Sequence, residues 1–364
     1  MKVLITGGHI TPALAVIGEL RDCEIVIVGR QHALSSDSSD SLEYKEIAKR
    51  GLKFINLRAG RLTRVLSLSS VINALKIPVG FVEALGILRN ERPNVVLTFG
   101  GYIALPIAIA ATILKIPIIS HEQTIRPGTA NGLIGKLANK IFISFPASSH
   151  YFPTDKVTLS GNPVRNEVTV VADKIKNFKK RNPVLYVTGG STGSHDINSL
   201  IFKILPDLLK KYTVIHQTGS SSEFRDFEKA AMFKNANYLP FTHIESNLIG
   251  FVYSQSDLVI SRGGANTVFE LLAVKKPSVI IPLPWSAFYE QQKHAEYLRS
   301  LGVAEIFDQS HPSEELLSLI EMMFGTLEKY KKNFDTIDQP YGTQNAAKQI
   351  AKEVMETSAN ASGA

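Results

Sequence analysis

The chain has 364 residues, 44% hydrophobic and 20% charged, which is room for two ordinary domains and excludes a disordered protein. Forty Lys and Arg against 33 Asp and Glu give a net charge of +7. A single cysteine, Cys23, excludes an internal disulfide and a CxxC metal site, and it points to a reducing compartment such as the cytoplasm. Its plain reading is a small buried residue at a strand edge.

The chain opens with Val3-Leu4-Ile5-Thr6-Gly7-Gly8, an apolar run ending in a glycine turn, with a helix start at Thr11-Pro12. No secretory leader is expected, because Gly7, Gly8 and His9 interrupt the apolar stretch. Strands are expected at 24–28, 95–99, 116–120 and 140–144, each an apolar run closed by Gly, Ser or Pro. Seven basic residues, Lys45, Lys49, Arg50, Lys53, Arg58, Arg61 and Arg64, precede an apolar stretch over 65–82. That pairing suits an anionic membrane surface, although on these residues alone a solvated basic face beside a core helix reads better. Aromatics do not interleave the charges, so nucleic acid is not an expected partner. The most apolar segment, 103–119, contains Pro106, Lys115 and Pro117 and reads as a crossover helix, too short to span a bilayer.

The opening phrase returns as Leu185-Tyr186-Val187-Thr188-Gly189-Gly190, with a helix start at Ser194 and Asp196. Further strands follow at 213–216, 258–261 and 278–282. The last segment, from Thr343 to about Met355, reads as a helix. Continuous apolar strands alternating with helices mean an α/β protein with covered parallel sheets, whose ligands sit at the carboxyl ends of strands. Glycine turns before helices suit phosphate, or are simply tight βα turns. A boundary falls at Gly161-Asn162-Pro163.

Chemistry-bearing residues cluster after the strands. His9 sits on the first glycine turn, as a proton acceptor for a hydroxyl or as a helix-start residue contacting backbone. His121-Glu122-Gln123-Thr124 closes another strand, and a carboxylate there could orient a second substrate. In Arg262 to Glu270, Thr267 and Glu270 form a T-x-x-E pattern, so Glu270 is equally a capping residue or a ligand contact. Gln291 and Gln292 carry donors and acceptors suited to sugar hydroxyls. Neither a Ser-His-Asp order nor an HExxH spacing occurs, and no metal site is expected.

These motifs, with Phe99-Gly100-Gly101-Tyr102, Gly161-Asn162-Pro163-Val164-Arg165 and Gly189-Gly190-Ser191-Thr192-Gly193, run almost end to end in an order that resembles the MurG family. The resemblance implies a GT-B fold: two Rossmann-like domains with parallel sheets facing each other across a cleft. Residues 1–163 would take the acceptor and the membrane, with a terminal helix (342–364) packing back on them, and residues 164–341 would bind UDP-GlcNAc. It implies an inverting glycosyltransferase moving GlcNAc from UDP-GlcNAc to the 4-hydroxyl of MurNAc-peptide on undecaprenyl diphosphate (lipid I), making lipid II for peptidoglycan. No cofactor is implied. The protein would sit peripherally on the cytoplasmic face of the plasma membrane.

By position, His9 would be the base. Ser191 and the loop of Gly189, Gly190 and Gly193 would hold the diphosphate, and Gly7 with Gly8 would form the corresponding first loop. Arg165 and the Ala265 amide would contact the donor, Glu270 the ribose hydroxyls, and Gln291 with Gln292 the GlcNAc hydroxyls. Glu122 and Thr124 would lie on the acceptor side, and Leu75 and Phe81 on the membrane face. The chain departs from the family in a shortened first loop, in Thr124 where Asn is usual, and in Gly263 where Ser is usual. Another UDP-sugar enzyme of the same fold, a glycolipid glycosyltransferase or a UDP-GlcNAc 2-epimerase, is the competing expectation.

Overall fold

A computed structural model describes residues 1–31, 42–58, 68–176, 178–190, 192–221, 223–337 and 343–362. The chain divides into two compact units, Met1–Pro163 with Thr343–Ala364, and Val164–Gly342.

The first unit runs β1 (Lys2–Thr6), α1 (Ile10–Ile17), β2 (Glu24–Gly29), α2 (Leu42–Lys49), β3 (Lys53–Asn56) and α3 (Leu68–Glu91). It continues through β4 (Val95–Thr98), α4 (Ala104–Ile113), β5 (Ile118–Glu122), α5 (Thr129–Leu137), β6 (Lys140–Ile143) and β7 (Val157–Leu159). Among the described residues these strands form one parallel sheet in the order β3-β2-β1-β4-β5-β6-β7. Alternation along a strand sends successive side chains to opposite faces. Thus Val3 and Ile5 join Ile27 and Leu97 in one core, while Leu4 joins Val28 and Val96 in the other.

The second unit runs α6 (Asn166–Thr169), β8 (Val184–Thr188), α7 (His195–Lys211), β9 (Thr213–Gln217), α8 (Asp226–Met232), β10 (Tyr238–Phe241) and α9 (Ser246–Gln255). Then come β11 (Leu258–Ser261), α10 (Ala265–Ala273), β12 (Ser278–Ile280), α11 (Glu290–Ser300), β13 (Ala304–Ile306), α12 (Ser313–Gly325) and α13 (Leu327–Asn333). Its parallel sheet is ordered β10-β9-β8-β11-β12-β13, the same sequence of crossovers. Along α7 the apolar residues Ile197, Leu200, Ile201, Ile204, Leu205 and Leu208 recur at helical spacing, and all are buried in that unit's core.

The last helix, α14 (Thr343–Ser362), returns to the first unit and packs on α1. Ala347, Ile350, Ala351 and Val354 complete the core holding Val3 and Ile5. In each unit the chain reverses direction beside its first strand, between β1 and β4 and between β8 and β11. Doubly wound sheets bind ligands at that place.

Two helix starts differ from expectation. The first helix begins at Ile10 with His9 at its N-cap, ahead of Thr11-Pro12. The helix α10 begins at Ala265, so Thr267 is already its third residue and the T-x-x-E pattern caps nothing.

Candidate active site

In the first unit, three loops meet at the carboxyl ends of β1, β4 and β5. The Gly7 amide donates to the Val28 carbonyl at 2.7 Å. Gly8 has φ +131°, and a Cβ there would stand 2.7 Å from the Gly100 carbonyl oxygen, so the β1 and β4 loops touch backbone to backbone. Thr98 ties them from below: its hydroxyl oxygen accepts from the Thr6 hydroxyl (2.9 Å) and from the Gly100 amide (3.0 Å).

The β5 loop is held by Glu122. One carboxylate oxygen accepts from the Thr124 amide and the Thr124 hydroxyl, both at 2.8 Å, and the other from Asn131 Nδ2 at 2.7 Å. Asn131 also accepts from the Gly101 amide at 2.9 Å, which fastens α5 to both loops. Burial pushes the Glu122 carboxyl up, opposed by the hydrogen bonds it accepts from Asn131 and Thr124. The carboxylate assigned to the acceptor therefore faces protein donors, and its work is to fix the loop. Thr124 replaces the usual Asn with a hydroxyl that bonds within this same network.

His9 occupies the N-cap position of α1 without a capping side-chain bond, and its Nδ1 lies 2.8 Å from Nε2 of Gln123. Burial lowers its pKa. Nearby His121 is pushed down to about 4, by burial first; its Nε2 meets the Gly161 carbonyl and the Ser144 hydroxyl.

The second unit repeats the device. Thr188 accepts from the Gly190 amide at 3.1 Å. Gly193 has φ +80°, and a Cβ there would lie 2.3 Å from the Thr218 carbonyl oxygen. Gly189 is pressed against the Ser194 amide, so its turn also lacks room for a side chain. Ser191 lies outside the described residues. At the start of α7, Ser194 accepts from Arg262 at 2.7 Å, and the same guanidinium pairs with Asp196 and donates to the Ile281 carbonyl.

The β11 loop leads into α10, where Ala265 is the first helical residue. The first amides of a helix lack partners within it and carry its positive end. Glu270, further along α10, is pinned between Arg165 Nη2 (3.3 Å) and the Tyr253 hydroxyl (3.1 Å). Arg165 and Glu270 are thus together, and both are largely buried.

The glutamines separate, since neighbouring helix positions lie about 100° apart. Gln291 turns to the loops: its Oε1 accepts from the Leu283 amide at 3.0 Å, and its backbone carbonyl presses on Gly263. Gln292 instead bonds Glu296 at 3.0 Å and lines a groove of about 600 Å³ with Leu283, Tyr289, Phe307 and His311. The two side chains therefore do not meet at one place.

On α3, Phe81 is also corrected, because it packs against the first unit's core. Among its described side chains Val79 and Val82 are exposed large apolar residues. The side chain of Leu75, and residues 59–67 with Arg61 and Arg64, lie outside the described set. Sequence reasoning gave no role to Gln123, Asn131, Tyr253 or Arg262. Gln123 stood in a quoted motif, whereas nothing local marked Tyr253.

The Glycosyltransferase family 28 N-terminal domain model matches residues 6–143, and the Glycosyltransferase family 28 C-terminal domain model matches residues 184–354. A Clostridium tetani protein named UDP-N-acetylglucosamine--N-acetylmuramyl-(pentapeptide) pyrophosphoryl-undecaprenol N-acetylglucosamine transferase is 32% identical, over 96% of this chain and 98% of its own. A Clostridium botulinum protein of the same name is 31% identical, over 96% and 99%. Among solved structures, Acinetobacter baumannii MurG aligns with TM-score 0.73 at 22% identity, covering 98% of this chain and 99% of that one. The Neisseria meningitidis UDP-GlcNAc 2-epimerase bound to UDP-GlcNAc aligns with TM-score 0.68 at 18% identity, covering 98% and 100%. These structural likenesses speak for the fold. With 96% of its length matched at 32% identity and both family 28 domains in order, the chain belongs to the MurG family of glycosyltransferases.

Proposed function

We propose that the protein transfers GlcNAc from UDP-GlcNAc to the 4-hydroxyl of the MurNAc-peptide on undecaprenyl diphosphate, with inversion, making lipid II. The observation that carries this reading is the near-complete match to transferases named for that reaction. Strand-end geometry in both units supports it.

The first unit takes the acceptor and supplies the base. His9 at the end of β1 accepts the proton of the attacking hydroxyl while that oxygen bonds the anomeric carbon. The bond from that carbon to the diphosphate breaks, and its electron pair leaves with UDP. The second unit takes the donor. Amides of the glycine turn after β8, at Gly189, Gly190 and Gly193, and of the α10 start at Ala265 face the gathering negative charge, a preorganised sink, with Ser191 assigned to the diphosphate by its place in the motif. Glu270 accepts from the ribose hydroxyls and Gln291 bonds the GlcNAc hydroxyls. Arg165 beside Glu270 holds that carboxylate in one orientation.

Among the described residues no helix is long and apolar enough to cross a membrane. The exposed Val79 and Val82 of α3, with Arg58 brought to the same helix by its backbone amide donating to Glu83 (3.0 Å), support peripheral binding to an anionic leaflet at its cytoplasmic face.

Incubation with labelled UDP-GlcNAc and a lipid I analogue tests the reading. UDP release that requires the acceptor is expected, with label in the lipid product. Conversion of UDP-GlcNAc to UDP-ManNAc without any acceptor would make it an epimerase instead.

A further inference from the structure

The contact between Gln123 and His9 does more than hold a loop. The Gln123 side chain is almost fully enclosed, at 7% exposure, and its carbonyl oxygen is buried with no hydrogen-bond partner. The same carboxamide lies against Nδ1 of His9 at 2.8 Å. Nε2 of His9 has no hydrogen-bond partner among the described residues.

A neutral imidazole has one N–H and one lone pair, and the partner of one nitrogen decides the state of the other. If the Gln123 N–H donates to Nδ1, the ring proton sits on Nε2 and the ring offers a hydroxyl no lone pair. A half-turn of the carboxamide brings the orphaned oxygen onto Nδ1. Nδ1 then carries the proton and donates it, and Nε2 keeps its lone pair.

We propose that Gln123 is the positioning residue of His9, presenting Oε1 to Nδ1–H so that the lone pair of Nε2 is directed at the acceptor hydroxyl. This rests on the reading of His9 as the base. When Nε2 takes the hydroxyl proton, the ring becomes an imidazolium with both nitrogens protonated, and Nδ1–H still has its acceptor in Oε1. A neutral carboxamide orients the ring without adding charge. His9 then stays neutral at working pH, in line with the lowering that burial imposes.

The surroundings leave this part to Gln123. Glu122 is directed into Thr124 and Asn131, His121 stays neutral down to about 4, and Arg30 bonds the Tyr102 hydroxyl at 2.7 Å. The helix α14, packed along α1, brings alanines and aliphatic residues to that contact.

The test joins a spectroscopic readout to a pH profile. In protein labelled with 15N-histidine, the His9 signals are assigned by their loss in His9→Gln. The wild type is expected to show protonated Nδ1 and bare Nε2, and Gln123→Leu to show mixed tautomers. The same variant is expected to lose more than about tenfold in kcat with the KM for UDP-GlcNAc within about twofold. Gln123→Glu restores an acceptor but adds charge, so turnover returns and the acid limb of kcat/KM moves up by about one pH unit or more.

A wild-type His9 protonated at Nε2 overturns the inference. So does an unchanged tautomer and kcat in Gln123→Leu, or an unmoved acid limb in Gln123→Glu. If His9→Gln keeps full turnover, it is the base reading that falls, and the spectrum still reports whether Gln123 sets the tautomer.

Discussion

The guanidinium of Arg165 and the carboxylate of Glu270 are 105 residues apart in sequence and 3.3 Å apart in space. With the Tyr253 hydroxyl they hold the carboxylate in one orientation in a largely buried setting. Such a group can accept from a pair of vicinal hydroxyls without first being ordered. Glu270→Ala should therefore raise the KM for UDP-GlcNAc by about 10- to 100-fold, the worth of one hydrogen bond to a charged group. Steady-state kinetics with UDP titration checks this, and an unchanged KM would remove Glu270 from the donor site.

The donor-side loop gives a graded test. Gly190 and Gly193 both have positive φ, +89° and +80°, yet only Gly193 is crowded, by the Thr218 carbonyl and the Gly219 Cα. Gly190→Ala meets only the strain of a left-handed backbone, about 1–2 kcal/mol. Gly193→Ala must in addition push the β9 loop away, and should cost at least about 1 kcal/mol more and weaken UDP binding. Urea unfolding and UDP titration of both variants decide it; equal losses would mean the loops are not in contact.

Acid should loosen the second unit through His216. This ring is buried between the Tyr238 hydroxyl (2.9 Å) and Asn198 Oδ1 (3.0 Å), with Asp226 beyond. Burial pushes its pKa down to about 3. An unfolded histidine takes up a proton near 6.5, while the folded one stays neutral. Stability is thus fully present above about pH 6.5 and falls as pH drops toward 3, by up to about 1.4 kcal/mol per unit. The chain has one tryptophan, Trp285 in the second unit, whose fluorescence can follow urea unfolding between pH 7.5 and 5. His216→Phe should flatten that dependence by one proton, and identical slopes would refute the assignment.

Membrane attachment divides the residues of α3. Val79 and Val82 are 57% and 66% exposed, whereas Phe81 packs inward. Val79→Glu with Val82→Glu should cut co-sedimentation with anionic vesicles at little cost in stability. Phe81→Glu should destabilise the first unit instead, since an unpaired charge would enter its core. Full vesicle binding by the valine pair would reject this face.

The central strands were readable from sequence because both of their faces are covered, so they appear as unbroken apolar runs such as Val3-Leu4-Ile5 and Val95-Val96-Leu97. The strands that went unread, β3, β7, β10 and β13, are the four sheet edges. Lys53-Phe54-Ile55-Asn56 and Ala304-Glu305-Ile306 are short and mixed in polarity, because an edge needs apolar residues on fewer sides. Their pairing comes from the neighbouring strand rather than from local pattern. The glycine turns were legible as turns, and their mutual contacts were not: nothing near Gly8 in sequence announces the Gly100 carbonyl. Likewise the T-x-x-E pattern at Thr267 and Glu270 satisfies a local rule that the true start of α10 overrides. Gly263, where the family usually has Ser, gains a reason only in space, since a Cβ there would stand 2.5 Å from the Gln291 carbonyl.

The place of α14 has a consequence for how the protein is made. Residues 343–362 join α1 and α2 in covering one side of the first sheet, so part of that hydrophobic face stays open while the intervening 179 residues of Val164–Gly342 emerge from the ribosome. The second unit can finish folding before the first one does. Cutting the chain ahead of Thr343 would leave its early half sticky and its later half intact.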